Sequence, residues 1–266
     1  MITDNHVETD LWHWQSAQGR RWLTCSLLSR WPHAFFTRES YPKHPSQLAP
    51  LLGLPGEQAH WAHQVHGSTW IWAAAVRDPS GHAQQADALA SKTPGTSVWV
   101  CTADCVPILM AGTRTTETGN HPWAVAIHAG WRGTAAAITT QVLEQLQLQR
   151  PDLNSIHIAL GPAISGPVYQ VGEEVAEQVI KTLPSGPYND SVVLPDPQPG
   201  KVRLDLRQVN ALQLAEQGVP GHQISICPYC TWGEPDLFFS YRRDGSLKNG
   251  GQGLQVQWSG IGLPLC

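Results

Sequence analysis

The sequence predicts a fold of the α/β or α+β class, in which strands and helices form layers around a single core. Short β-prone runs recur along the chain, and three helical patterns alternate with them. The 266 residues are 41% hydrophobic, which suits one large domain or two small ones with a sizeable core. These patterns leave the pairing order of the strands open.

The predicted strands are short runs rich in β-branched, aromatic and other apolar residues. They cover residues 98–102, 123–128, 156–160, 202–204, 224–227, 237–241 and 254–258. Residues 41–58 are rich in proline and glycine and predict a loop or short helix. Residues 182–201 contain five prolines and predict a long surface connection.

The predicted helices cover residues 131–149, 172–183 and 205–218. The first carries apolar side chains on one face and Thr, Gln and Glu on the other. The second begins with Glu173 and Glu174, which suit a helix N-terminus because the unpaired amides there are partly positive. The third begins at Asp205, a good N-cap, and ends at Gly218.

Composition argues against several classes of function. The net charge is −4 without a block of like charges, so we expect neither a nucleic-acid nor a membrane partner. The N-terminus lacks a secretory pattern, and the most apolar stretch, broken by Asp104 and Pro107, is too short to span a bilayer. Six irregularly spaced cysteines do not make a disulfide scaffold, so we expect a cytoplasmic protein with reduced thiols. Twelve scattered tryptophans are expected in core or interface packing.

Three short segments place an imidazole or a thiol beside a tight turn. Their candidate ligands are His66, Cys105 and His128, each at the end of an apolar run, where we expect a strand to deliver it to a rim. Zinc binds thiolate and imidazole together, and three protein ligands with an open fourth position are typical of catalytic zinc. The spacing matches no zinc finger, so residue types alone leave open that all three are ordinary, partly buried residues.

Arg132 follows the last candidate ligand, where a strand is expected to give way to a helix. Backbone amides at a helix start and a guanidinium suit an anion, so Arg132 is the candidate phosphate-binding residue. A solvated surface arginine is the alternative. Asp87 and Asp104 are each candidates to orient a ligand histidine or to bind substrate, with surface or turn aspartate as the alternative.

Two later segments also carry reactive or charged groups. Cys227 and Cys230 form a CxxC motif without a second pair, so they supply at most half of a structural zinc site. The residues after the motif do not favour a thioredoxin-like redox helix. Residues 239–245 predict a strand that runs into a turn, and their Arg242 and Arg243 are candidates either to bind an anion or to form salt bridges.

These segments occur together, in the same order, in one known family. The matching motifs are Gln64-Val65-His66-Gly67, Ala86-Asp87-Ala88-Leu89, Thr102-Ala103-Asp104-Cys105-Val106-Pro107, His128-Ala129-Gly130-Trp131-Arg132-Gly133, Leu160-Gly161-Pro162-Ala163-Ile164, Tyr169-Gln170-Val171-Gly172 and Phe238 through Gly245. Over residues 33–245 the chain resembles the YfiH family, also known as polyphenol oxidoreductase laccases and as purine nucleoside phosphorylases.

The resemblance implies a single α+β domain over residues 1–266, with layered mixed β-sheets flanked by helices. It implies a zinc ion held by His66, Cys105 and His128, with copper less favoured. It also implies phosphorolysis of adenosine, inosine, guanosine or methylthioadenosine to base and sugar-1-phosphate, with adenosine deamination as a companion reaction. The expected partners are therefore a purine nucleoside and phosphate, bound by a monomer or homodimer.

Roles for individual side chains follow as expectations from this resemblance and from residue chemistry. The expected catalytic residues are Arg132, Asp104 and His63. The expected substrate-binding residues are Gln64, Asp87, Arg132 and Arg242. His63, Asp87 and Asp104 are all candidates for the general acid, and the sequence does not choose among them.

The chain also departs from the family pattern after Arg38, after Ile164, where many members carry a cysteine, and at residues 250–253. These departures bear on substrate preference and on the rim of the pocket, not on the zinc ligands. Three other functions stay open. One is copper-dependent phenol oxidation, which needs several coppers and many histidine ligands. The others are a hydrolase using Cys105 with His128 and a non-enzymatic zinc protein that binds cell-wall intermediates or a partner.

Overall fold

A computed structural model describes residues 9–76, 83–116, 119–147, 153–184, 189–245 and 255–265. The strands are β1 (Trp12–Ala17), β2 (Arg20–Cys25), β3 (His33–Phe36), β4 (Ala59–His60), β5 (Trp70–Trp72), β6 (Ala88–Ser91), β7 (Ser97–Thr102), β8 (Val106–Thr116), β9 (Gly119–Ala129), β10 (His157–Leu160), β11 (Gln170–Gly172), β12 (Val193–Pro195), β13 (Lys201–Leu204), β14 (Ile224–Ile226) and β15 (Gln257–Gly262). The helices are α1 (Pro45–Leu48), α2 (Trp131–Ala135), α3 (Ile138–Gln147), α4 (Glu173–Ile180), α5 (Asn189–Val192), α6 (Leu206–Glu216) and α7 (Tyr241–Asp244).

The strands form three sheets. The first has the order β1-β2-β3-β15-β7-β4, the second β14-β10-β8-β9-β6-β5, and the third β11-β13-β12. The first two sheets are mixed, because β4 runs parallel to β7 while β10 and β5 run parallel to β14 and β6. Mixed sheets flanked by helices confirm the expected fold class. The expectation of a single domain stays a prediction.

The second sheet lies between the helices and the first sheet. Side chains alternate across a strand, so Ile108 and Ile127 face α3, α4 and α6. Their neighbours Leu109 and Ala126 face the first sheet instead. The long β8–β9 hairpin is therefore covered on both faces, which explains why its buried part reads as a continuous apolar run.

The opposite face of the first sheet carries much of the expected tryptophan packing. Trp22, Trp99 and Trp258 are buried there with Leu48 of α1. Gly260 of β15 is required at this point, because a Cβ on it would lie 2.2 Å from the Trp99 ring. These three tryptophans thus fill a core layer, whereas Trp14 and Trp232 are exposed.

Several predicted elements differ from the structure. The strand predicted over residues 237–241 is wrong, because this segment turns and then enters α7. Six other predicted strands overlap β7, β9, β10, β13, β14 and β15. The other described strands, β1 to β6, β8, β11 and β12, were not predicted. The predicted surface connection at 182–201 is also wrong in part, since it contains α5 and β12 and buries Val192.

The helix predicted over residues 131–149 is two helices. Ala137 adopts a left-handed backbone conformation (φ +52°) between α2 and α3, which ends the first helix because L-residues do not continue a right-handed helix there. Residues 148 and 149 lie outside the described residues. The break lets α3 pack on the second sheet while α2 follows the wall of the site described below. No described helix has the length and apolarity needed to cross a membrane.

Candidate metal and substrate site

The structure brings His66, Cys105 and His128 together from three separate elements. His66 lies in the loop between β4 and β5, Cys105 in the turn between β7 and β8, and His128 near the end of β9. One potential ligand atom of each lies within 4.8 Å of the others. Only His128 is delivered by a strand end, so the expectation that strands deliver all three is wrong for the other two. We call these three residues the ligand group.

The ligand group suits a single metal ion. Zinc with bonds of about 2.0–2.3 Å separates its tetrahedral ligand atoms by about 3.5 Å, so the observed spacing needs only small side-chain shifts. The backbone also leaves room, because a Cβ on Gly130 would lie 3.0 Å from the Cys105 sulfur and 3.3 Å from Cδ2 of His66. Two imidazoles and a thiol form a donor set that zinc prefers.

Asp87 fixes the orientation of the ligand group. Its fully buried carboxylate accepts a hydrogen bond from Nδ1 of His128 at 2.8 Å. It also accepts the backbone amides of Val65, His66 and Gly67 at 3.3, 3.0 and 2.7 Å. Because Asp87 occupies Nδ1, the Nε2 atom of His128 is the ring nitrogen left to bind a metal. The same carboxylate holds the loop of His66, whose φ is +59°.

The protonation of the metal-free ligand group differs from that of ordinary side chains. Burial acts to raise the pKa of the Cys105 thiol, but hydrogen bonds and charges from His128 and His66 outweigh burial and lower this pKa to about 7. Burial acts to lower the pKa of His128, but Asp87 and Cys105 raise it to about 9. In contrast, burial raises the pKa of Cys101 to about 12. Cys105 is therefore the described thiol best prepared to act as a thiolate ligand.

A cavity of about 730 Å³ opens in front of the ligand group. This volume lies in the range of small-molecule sites. Its lining includes Ala62, His63, Gln64, Val65, His66, Cys101, Thr102, Ala103, Asp104, Cys105, His128, Trp131, Arg132, Ile164, Tyr169, Leu206, Tyr241, Arg242 and Val256. Of the residues named in advance for the substrate, Gln64, Arg132 and Arg242 reach this cavity, whereas Asp87 is fully buried behind it.

Two arginines line the cavity without a carboxylate partner among the described residues. The Arg132 guanidinium lies over the Trp131 ring, 4.3 Å from its centroid. The Arg242 guanidinium lies over the Tyr169 ring at 5.1 Å and donates to the carbonyl of Gln170 at 2.7 Å. The cavity therefore joins the ligand group to two cations whose charge no described ion pair neutralises.

Arg242 and Arg243, which looked equivalent in the sequence, have different surroundings. The Arg243 guanidinium donates to the carbonyls of Thr231, Trp232 and Phe238 and pairs with Asp244 at 2.6 Å. Arg243 therefore holds the loop 231–245 together, and only Arg242 of the pair lines the cavity.

Gln64 and His63 occupy the loop that carries His66. Both ends of the Gln64 amide bond to the backbone of Cys101, as donor and as acceptor, at 2.8 Å each. Its amide thus ties the loop to β7. The His63 side chain is exposed at the cavity wall, while its backbone pairs with that of Gln84 and Ala86.

Asp104, which directly precedes Cys105 of the ligand group, is anchored by hydrogen bonds to residues 231–242. Its carboxylate, 7% exposed, accepts the hydroxyls of Thr231 at 2.6 Å and Ser240 at 3.0 Å, and the amide of Arg242 at 2.7 Å. Asp104 has a φ of +92°. Asp104, Thr231, Ser240 and Arg242 form what we call the Asp104 cluster.

Sequence reasoning did not single out Tyr169, Thr231 or Ser240 for the site. Their signal was weak, because none of them has a charged or ligand-like side chain, although Tyr169 and Ser240 lie within family motifs and Thr231 directly follows Cys230. Neither cysteine of the CxxC motif belongs to the ligand group, and among the described residues no other group assembles three metal-binding side chains. The Cys230 sulfur instead accepts hydrogen bonds from the amide and hydroxyl of Ser165 at 3.3 and 3.2 Å.

Comparison with known proteins places this geometry among relatives. The family described as multi-copper polyphenol oxidoreductase laccase matches residues 39–259. A purine nucleoside phosphorylase of Synechocystis sp. is 39% identical, over 95% of this chain and 97% of that protein. An adenosine deaminase from an unknown prokaryotic organism is 37% identical, over 60% of this chain and 57% of that protein. The crystal structure of YlmD from Geobacillus stearothermophilus covers 96% of this chain and 99% of its own, with a TM-score of 0.77 and 28% identity.

Proposed function

The chain belongs to the YfiH-type family of enzymes described as multi-copper polyphenol oxidoreductase laccases, and on that premise we propose that it is a zinc-dependent purine nucleoside phosphorylase. The observation that carries this proposal is one cavity lined by the ligand group and by two arginines without a carboxylate partner among the described residues. A metal ion can polarise an oxygen or nitrogen atom of the substrate. Guanidinium groups can bind phosphate through charge-assisted hydrogen bonds.

Phosphorolysis breaks the bond between a purine nitrogen and C1′ of the sugar and forms a bond from a phosphate oxygen to C1′. The bond electrons leave with the purine, which takes up a proton. The protein must hold phosphate and nucleoside in line and stabilise the charges that develop. A zinc ion in the ligand group would supply Lewis-acid polarisation of a substrate oxygen or nitrogen.

In this proposal the arginines bind phosphate. α2 has only five residues, so the Arg132 side chain, and not a helix dipole, supplies most of the attraction near the ligand group. Arg242 supplies a second guanidinium from the loop 231–245. Asp104 is the single acidic residue among the described lining residues, and three hydrogen bonds already engage its carboxylate, so it does not repel the anion strongly.

The remaining assignments follow from which groups are free to meet a substrate. His63 is exposed at the cavity wall, and we propose it as the proton donor to the departing purine. Asp87 is fully buried and bonded to four groups, so we propose that it orients His128 and does not touch the nucleoside. Both ends of the Gln64 side-chain amide already bond to the backbone of Cys101. We therefore propose that Gln64 contacts the substrate only through the remaining hydrogen-bonding capacity of this amide.

The number of metal-binding side chains that lie together favours a single zinc ion over a multi-copper centre. Within the described ranges, the ligand group is the single group of three or more metal-binding side chains, whereas laccase chemistry needs several coppers. The five described cysteines form no disulfide with one another, and we therefore propose a reducing, cytoplasmic setting. A monomer or homodimer stays a prediction.

Adenosine deamination is a second proposed activity, because one relative is an adenosine deaminase. The same cavity would bind adenosine, with water instead of phosphate as the nucleophile. Water attacks C6 of the purine, the bond from C6 to the amino nitrogen breaks, and ammonia leaves. The two reactions have separable products, since deamination releases ammonia and inosine, whereas phosphorolysis releases adenine and sugar-1-phosphate.

A screen of purine nucleosides with and without phosphate tests the proposal. We expect bound zinc and phosphate-dependent release of free base from at least one of adenosine, inosine, guanosine and methylthioadenosine. Base release that is independent of phosphate, or oxidation of phenols with several coppers per chain, would exclude it. Alkylation of Cys105 that zinc does not prevent would favour the cysteine hydrolase instead.

A further inference from the structure

Asp104 connects the turn of a metal ligand to the loop that carries Arg242. It directly precedes Cys105, and its backbone carbonyl accepts the amide of Ile164 at 3.0 Å. Its side chain reaches across to the loop 231–245, where it accepts the amide of Arg242. The backbone of Arg242 is therefore connected to the turn of Cys105 through one carboxylate.

The hydrogen bonds of the Asp104 carboxylate hold the start of α7, the helix that contains Arg242. The Oδ2 atom accepts both the Ser240 hydroxyl at 3.0 Å and the Arg242 amide at 2.7 Å. Ser240 is also the N-cap of α7, because its hydroxyl accepts the amide of Arg243 at 3.1 Å. The Oδ1 atom accepts the fully buried Thr231 hydroxyl at 2.6 Å. Oδ2 thus fixes the start of α7, and with it the direction in which Arg242 leaves the helix.

The guanidinium of Arg242 is held at a second point. It lies over Tyr169 and donates to the carbonyl of Gln170, which leaves its other N–H groups available to a ligand. Two fixed points, the backbone amide on Asp104 and the side chain on Tyr169, pre-organise a cation at the cavity wall. Pre-organised donors bind an anion more tightly because less conformational entropy is lost on binding.

We propose that Asp104 is a positioning residue that sets the distance between the metal ligands and the Arg242 guanidinium, and thereby the affinity of the site for phosphate. This inference rests on the proposed function. Asp104 does not touch the substrate in this assignment. Its carboxylate acts through Arg242, so removing its charge should weaken phosphate binding without removing the metal.

A double-mutant cycle on the zinc-loaded full chain tests the inference. The variants are Asp104→Asn, Arg242→Met and the double substitution, with Glu39→Gln as the matched control. The Glu39 carboxylate, like that of Asp104, accepts the backbone amide of an arginine, here Arg21. Unlike Asp104, Glu39 also pairs with the guanidinium of that arginine, and it does not line the cavity. The measurements are zinc content, KM for inorganic phosphate, KM for inosine, and kcat.

We expect Asp104→Asn to raise the phosphate KM roughly tenfold, as for the loss of a hydrogen bond to a charged group. Zinc content and the inosine KM should stay close to those of the unsubstituted protein and of Glu39→Gln. In the Arg242→Met background, Asp104→Asn should change the phosphate KM by less than about twofold, because the two residues act as one unit.

Three results overturn the inference. Full additivity of the two substitutions would show that Asp104 does not act through Arg242. A loss of zinc in soluble Asp104→Asn protein would assign Asp104 to the metal site. A normal phosphate KM in soluble, zinc-loaded Asp104→Asn protein would remove its role altogether.

If Asp104→Asn does not fold, Ser240→Ala replaces it in the cycle. Ser240→Ala removes one hydrogen bond to Oδ2 and should raise the phosphate KM in the same direction by a smaller factor, and an unchanged KM would contradict the inference. If the unsubstituted protein neither binds phosphate nor shows phosphorolysis, the proposed function fails, and this inference fails with it. A phosphate-dependent parent with an additive cycle overturns the inference alone.

Discussion

Asp87 and Asp104 are two buried aspartates next to the ligand group, and they organise different parts of the site. Asp87 bonds to a ligand imidazole and to three amides of the His66 loop. Asp104 bonds to two hydroxyls and one amide of the loop 231–245. The difference lies in the donors that each carboxylate meets. Asp87 should therefore control the affinity for the metal, and Asp104 should control the position of Arg242.

The largest expected effect comes from removing the partner of Asp87. His128→Ala deletes a ligand and leaves the buried Asp87 carboxylate without its imidazole. We expect zinc content to fall close to zero and phosphorolysis to fall on the order of a thousandfold or more. Metal analysis and inosine phosphorolysis measure both effects. If metal-stripped His128→Ala released hypoxanthine at the normal rate, zinc-dependent phosphorolysis would be wrong.

Asp87→Asn tests the comparison itself. The amide keeps the shape but loses the charge that orients and polarises His128, so zinc affinity should fall about 10- to 100-fold. Excess zinc should restore most of the activity, which zinc titration against a chelator would show. The matched substitution Asp104→Asn should leave zinc affinity unchanged. Equal losses of zinc in both variants would contradict the division of roles.

The pH dependence of Cys105 reactivity tests the interactions among Asp87, His128 and Cys105. Its pKa of about 7 in the metal-free protein means that thiolate, and hence alkylation, increases as pH rises through about 7. An ordinary thiol would show this increase one to two pH units higher. At neutral pH, His128→Ala should slow alkylation by a factor of tens, and zinc should protect the thiol. Mass spectrometry of iodoacetamide-treated protein identifies the residue; a midpoint above pH 8.5 would refute the assignment.

Gly130→Ala should have the smallest effect. The backbone of Gly130 (φ −77°, ψ 174°) suits alanine, so the cost arises from the added methyl group beside Cys105 and His66. We expect zinc affinity to fall by several-fold to about tenfold, through displaced ligands, with little change in thermal stability. Isothermal titration with zinc checks this, and unchanged affinity would show that the ligand group has more room than its geometry indicates.

The sequence predicted which residues belong to the site better than it predicted how they are arranged in space. His66, Cys105 and His128 were identifiable because thiol and imidazole groups beside turns are unusual, and the flanking motifs strengthened that interpretation. Their meeting could not be derived from spacing, because a loop, a turn and a strand end supply them. Asp87 and Asp104 were interchangeable in sequence, since their roles depend on donors 20 to 138 residues away.

The fold was predicted in class but not in detail. Strands such as β7, β9 and β10 were found because they are apolar and contain β-branched residues. β1 escaped prediction because only one of its six residues is buried, which gives no clear alternation. Residues 237–241 resembled a strand because they contain the aromatic pair Phe238 and Phe239, which is buried. In the structure the carbonyl of Phe238 accepts a hydrogen bond from the Arg243 guanidinium, and the chain turns. Such tertiary hydrogen bonds leave no local pattern.

A zinc titration of the metal-free protein tests the central claim most directly. Inosine and phosphate are supplied in excess, and hypoxanthine and ribose-1-phosphate are measured as zinc is added. We predict no turnover without metal, equal amounts of the two products, and activity that reaches its plateau at one zinc per chain. Full activity in the metal-free protein, or hypoxanthine released without ribose-1-phosphate, would contradict the claim.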